Sequence, residues 1–234
     1  MKAQPSLLLA ALSAFLTSHA GAVVVANYPF NGGSNTSTDV HAQSTAGAFS
    51  ISGGSASDQS GFSSSTNQPF IRVTSLTTTK ADAITGGDYF SFTWTPGSEF
   101  TSLLGQLSFS FGGSNLANGS EADNYTAFMS LQAQVGSGAF FDVGPEFSRL
   151  VPYQSGNSQP QLTDNLVIDL SGVSALQNVT DPVTFRFYLY SSVTNNNGKI
   201  VRMDNVTLDT VPEPSVALLG LVGSISLLRR RHVR

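Results

Sequence analysis

The chain has 234 residues, with 11 Lys+Arg, 15 Asp+Glu, 3 His and no Cys. Apart from Lys2, Glu213, Arg229, Arg230, Arg231 and Arg234 near its two ends, the stretch from Val23 to Thr210 holds six basic and fourteen acidic residues, a net charge of −8. That balance lacks the clustered cations a nucleic-acid surface needs, the absence of Cys excludes disulfides and thiolate chemistry, and His41 stands alone in the body, which excludes a multi-histidine metal site.

Lys2, an apolar stretch from Leu7 to Leu16 and the small residues Ala20-Gly21-Ala22 follow one another in the order of a secretory signal peptide. Residues 1–22 are read as that signal, with signal peptidase as the partner and cleavage after Ala22. In an oxidising compartment a chain without Cys must rely on its own core, which a body of this size can build.

From Val23 onward, apolar residues alternate with polar ones in short runs, the spacing of strands. In chain order the candidates are Val23 to Tyr28, Phe70 to Val73, and Phe90, Phe92 and Trp94 with Tyr89, Ser91 and Thr93 on the other face. Leu107, Phe109 and Phe111 follow, then the long alternation from Tyr125 through Val135, then Leu166 to Leu170. Val183, Phe185, Phe187 and Leu189 stand opposite Thr184, Arg186, Tyr188 and Tyr190, and Ile200 to Leu208 comes last. Turn-forming pairs such as Gly86-Gly87 and Gly112-Gly113 separate these runs. Asn31 to Asn67, rich in Ser, Thr and Gly, is read as long loops or short edge strands, and Ser171 to Leu176 as the one helical turn. The expected fold is therefore all-β: an antiparallel two-sheet β-sandwich, jelly-roll-like, forming one domain over residues 23–210.

Val211-Pro212-Glu213-Pro214-Ser215 ends the strand pattern, because two closely spaced prolines remove two donors. The 15 uncharged residues from Pro214 to Leu228 would form a helix of ~22 Å, short of the ~30 Å hydrocarbon core of a bilayer, with Arg229, Arg230 and Arg231 beyond it. This order of pentad, short apolar helix and terminal arginine cluster resembles the PEP-CTERM sorting signal of bacterial exosortase substrates. The resemblance covers residues 211–234. It implies recognition of Pro212, Glu213 and Pro214 by a membrane-embedded exosortase, transient anchoring in the inner membrane with the body in the periplasm, and a final place at the cell surface or in an extracellular polysaccharide matrix.

Within the body, catalytic patterns are sparse. Glu121-Ala122-Asp123 has the spacing of paired carboxylates but lies in a turn, and His41 beside Asp39 has no G-x-S-x-G elbow. Ile200 to Leu208 resembles the last strand of jelly-roll carbohydrate-binding modules, which implies that Asp204 could help to hold a structural calcium; pairing of Asp204 with Arg202 or Arg186 is the alternative. Tyr188 and Tyr190, flanking Arg186, are the candidate sugar-stacking residues, unless they pack on a second buried face. The sequence thus favours a non-catalytic exported protein with a structural or adhesive role. A carbohydrate-binding protein, or a jelly-roll glycan hydrolase or lyase, is the alternative.

Overall fold

The computed structural model describes residues 22–31, 34–39, 41–53, 60–63, 68–98, 102–115, 123–154, 160–194 and 198–211. The signal and sorting assignments, which rest on Ala20, Pro212, Glu213, Pro214, Arg229, Arg230 and Arg231, lie outside these residues; Ala22 is described and is exposed. Among the described residues no helix is long and apolar enough to cross a membrane. One compact unit runs from Val24 to Thr210.

Its strands are β1 (Val24–Tyr28), β2 (Ser44–Ala46), β3 (Ser50–Ser52), β4 (Ser60–Phe62), β5 (Pro69–Arg72), β6 (Tyr89–Pro96) and β7 (Ser102–Asn115), followed by β8 (Tyr125–Val135), β9 (Phe141–Val151), β10 (Gln161–Asp169), β11 (Gln177–Val179), β12 (Val183–Ser191) and β13 (Lys199–Thr210). They form two antiparallel sheets. The seven-stranded sheet runs β10-β7-β13-β5-β4, with β1 pairing β13 and β11 pairing β7; the six-stranded sheet runs β2-β6-β12-β8-β9, with β3 pairing β6.

Each sheet is built around a strand gripped from both sides. In the six-stranded sheet, Phe185 of β12 lies opposite Phe92 on β6 and Ala133 on β8, and Phe187 lies opposite Phe90 and Leu131. A large ring beside a small residue lets the layer interdigitate without a void. Phe92, Phe185, Phe187 and Phe109 meet at centroid distances of 5.2 to 6.3 Å, which joins the two sheets through one aromatic centre. Phe187→Ala would cost about 3–5 kcal/mol by the ordinary penalty for emptying a core site. In the other sheet, β13 pairs β7 along most of its length and is flanked on its opposite side first by β5 and then by β1.

Several features depart from the sequence reading, among them Gly112-Gly113, expected as a turn but found within β7 and paired to β10 and β13, and the short strand β11. An α-helix, α1 (Lys80–Gly86), stands where only a Gly-Gly turn is expected. Thr79 caps it by accepting from the Asp82 N–H, and Gly87, at φ 76°, ends it in the left-handed conformation. The expected helical turn at Ser171 to Leu176 reduces to a 3-10 turn over Ser174–Leu176. Finally, β9 was not anticipated at all. Its alternation is interrupted at Gly144-Pro145, where the β8–β9 register shifts and Gly144, at φ 71°, passes so close to β10 that a Cβ would lie 2.8 Å from Ile168. Pro145 removes a ladder donor, which an edge strand tolerates.

Candidate functional site

The outer face of the six-stranded sheet holds the predicted sugar-binding residues. α1 crosses it: Ala83, fully buried, packs with Tyr188 and Tyr190, which are 2% and 4% exposed, and Tyr89 and Phe128 border the cluster. Tyr188 meets Tyr89 edge-on at 5.4 Å and Tyr190 stacks on Phe128 at 5.3 Å. The Tyr190 hydroxyl donates to Glu146, and burial with that bond raises its pKa to about 12. The expectation of two open stacking rings is thus corrected: the helix that the sequence reading missed covers them, and the second buried face is the outcome.

Arg186 has a different environment. It is half-buried, and its guanidinium carbon lies 4.5 Å from the Tyr89 ring centroid and 4.0 Å from that of Phe140. Nη1 donates to the Tyr188 hydroxyl at 3.4 Å. The pairing of β12 with its neighbours puts Ser91 on one side of Arg186 and Gln132 on the other. The Gln132 amide donates to Asp142 at 2.9 Å, and Lys80 of α1 pairs with the same carboxylate at 2.9 Å. These two donors hold the Asp142 carboxyl below its ordinary range. The face therefore offers a cation held against two rings, with the amide oxygen of Gln132 on the next strand, while Ser91 is buried and its hydroxyl bonds to that of Ser50 at 2.7 Å. Tyr89 was legible as the residue opposite the Phe90 face; Phe140 was not, because it precedes the strand that the alternation did not reveal.

On the outer face of the other sheet lies Asp204. Gln68, 8% exposed, donates its Nε2 to Asp204 Oδ2 at 2.7 Å, while the Asn205 N–H donates to Oδ1 at 2.8 Å. Burial, and after it the neighbouring Asp164 carboxylate, pushes Asp204 above the ordinary aspartate range; the two hydrogen bonds act the other way. Next to it is a polar concavity of about 320 Å³ lined by Ser108, Phe109, Ser110, Asp164, Asn165 and Asn205. Among the described residues no three His, Cys, Asp or Glu side chains gather as metal ligands. The oxygens present suit a hard cation, and Gln68 Oε1, held beside Asp204, is buried without a partner. The β1–β13 register sets Tyr28 against Val206, so the chain after β1 runs on toward Asp204.

Of the remaining candidates, Glu121 lies outside the described residues. Asp39 accepts from the His41 backbone N–H, and the His41 ring contacts Ser44 at 3.2 Å. Asp123 accepts from the buried Lys199 at 2.8 Å, a structural tie.

Neither a protein-family model nor a curated protein sequence matches the chain. Among solved structures it is similar to the C-terminal family 22 carbohydrate binding module of a Clostridium thermocellum protein, at 13% identity over 80% of this chain and 92% of that one, with a TM-score of 0.29. The protein is a two-sheet antiparallel β-sandwich.

Proposed function

We propose that the chain is an exported, non-catalytic β-sandwich protein that an exosortase delivers to the cell surface or extracellular matrix, where its domain has a structural or adhesive role. The observation that carries this reading is the terminal order of Val211 to Ser215, an apolar stretch and the arginine cluster. The position of β13 supports it: this central strand ends at Thr210, so the segment to be processed follows directly from the best-anchored strand of the domain. Replacing Pro212, Glu213 and Pro214 together by Ala is expected to leave the protein in the inner-membrane fraction. Surface delivery of that variant at the normal level would overturn the sorting assignment.

A second reading, contact with extracellular polysaccharide, is favoured by Arg186, whose guanidinium lies against two rings with Gln132 alongside. Rings beside hydrogen-bonding groups are the means by which sugars are held. Hydrolysis or lysis on this face would need a pair of carboxyl groups free to exchange protons. Asp142 is occupied by Lys80 and Gln132, and Glu146 by Tyr190, which supports binding without turnover. Retention on an immobilised polysaccharide without release of reducing ends is the expected result.

A further inference from the structure

We infer that Arg186 is a receptor for the carboxylate of an acidic polysaccharide, an inference that rests on the polysaccharide-binding reading and gives it a ligand class. Of the Arg186 N–H groups, one donates to Tyr188, and the carboxylates on β9, on the far side of β8, are engaged elsewhere, Asp142 by Lys80 and Gln132 and Glu146 by Tyr190. None of the Arg186 nitrogens is among the buried polar atoms without a partner, so its remaining donors reach solvent. An arginine that serves only to staple a sheet face would pair with one of those nearby carboxylates; here the carboxylates are drawn off and the guanidinium is left as an unneutralised cation.

The two rings add the second element. With its central carbon 4.5 Å from the Tyr89 ring centroid and 4.0 Å from that of Phe140, the guanidinium is held by its ring contacts, while the donors that Tyr188 does not take remain for a ligand. A guanidinium edge matches a planar carboxylate through two parallel hydrogen bonds, and the rotamer entropy usually lost on binding has already been spent in the clamp. Gln132, one strand over, gives its Nε2 to Asp142 and keeps its amide oxygen for a hydroxyl group next to the carboxylate, as a uronic acid presents it and a bare carboxylate does not. The domain charge of −8 opposes polyanions at long range, so recognition has to come from this short-range, directional contact and not from a diffuse basic surface.

The test uses the full chain and four immobilised polymers: polygalacturonate, neutral dextran, dextran sulfate and polyglutamate. Polygalacturonate is expected to retain the protein and the other three are not. Arg186→Gln should weaken that retention at least about tenfold, the loss typical of a charged bidentate contact, and Arg186→Lys should recover only part of it. Because Arg186→Gln also removes ring contacts, its melting temperature is measured alongside. Gln132→Ala, which leaves the clamp in place, should weaken polygalacturonate binding with little change in melting. A lowered melting temperature with unchanged binding would make Arg186 a staple and overturn the inference. So would equal retention on dextran, which leaves polysaccharide binding standing without its acidic ligand, or equal retention on dextran sulfate or polyglutamate, which makes the site a general anion receptor. Retention on none of the four overturns the inference together with the reading beneath it.

Discussion

Asn165 in β10 and Asn205 in β13 occupy matching bulges on the two neighbours of β7, with backbone φ of 57° and 49°. On one side Asp164 and Asn165 stand against Ser110, and on the other Asn205 and Val206 stand against Phe109, so each neighbour spends one extra residue at the same level of the sheet. The bulge in β13 moves its inward positions from Val201 and Met203 to Val206 and Leu208, keeping both halves of the strand in the core. Asparagine tolerates the left-handed region where branched residues do not. Replacing either Asn by Gly is expected to change stability by a few tenths of a kcal/mol, whereas Val at either site should cost about 1–3 kcal/mol. Urea unfolding of the four variants separates these outcomes, and a tolerated Val at both positions would show that the bulges relax.

A second prediction concerns Asp88, which follows α1 and is 5% exposed. Its carboxylate is close to Gly53 and Gly86, where added Cβ atoms would approach its oxygens to 2.5 and 3.4 Å. Burial raises its pKa from 3.8 to about 6. The folded state therefore binds this proton more tightly than the unfolded chain does. The group favours folding fully below pH ~4, and that contribution is lost as the pH rises to about 6, after which it stays constant. Asp88→Asn should remove this dependence and raise stability at neutral pH by on the order of 2 kcal/mol relative to the parent. Parallel stability–pH curves for the two proteins would contradict the assignment.

The interior was legible because alternation over β6, β8 and β12 is carried by large residues whose partners across the sandwich must also be apolar. Phe90, Phe92, Trp94, Phe185 and Phe187 are all buried, as their spacing implies. The outer faces were not legible, because alternation says which residues point away from the core but not what covers them. α1 has only seven residues, too few for a helical period, although Thr79 three places before Asp82 is the capping pattern that would have marked its start. Without that helix Tyr188 and Tyr190 read as an exposed platform. Phe140 and β9 were hidden by Gly144-Pro145, since a bulge resets the period on which the reading depends.

A third prediction follows from the placement of β13. The excised domain of residues 23–210 is expected to show β-type circular dichroism and one cooperative melt. Stopping the chain at residue 198 should abolish folding, because β13 supplies the pairing for β1, β5 and β7 and buries Val201, Met203, Val206 and Leu208. A cooperative melt after that truncation would mean that β7 and β1 can close the sheet directly.

The last prediction returns to Asp204. Its carboxylate is half-buried and pushed above its ordinary pKa range, Asp164 adds like charge, and Gln68 Oε1 is buried beside it without a donor. A divalent cation would relieve all three costs together, and calcium, which accepts carboxylate and amide oxygens in irregular arrangements, fits this set better than a metal that prefers nitrogen or sulfur. Binding to the native state alone stabilises by RT ln(1 + [L]/Kd), roughly 2.7 kcal/mol at a hundredfold excess over Kd. Calcium is therefore expected to raise the melting temperature of the 23–210 domain, and Asp204→Asn, which keeps the shape and removes the charge, should abolish most of that rise. The same variant lacks a carboxylate that is costly to bury, so without calcium it should melt no lower than the parent if the hydrogen bond from Gln68 can be re-formed to the new amide oxygen. Superimposable melts of the parent in calcium and in chelator would remove the metal, leaving Asp204 as a carboxylate satisfied by Gln68 and the Asn205 N–H alone.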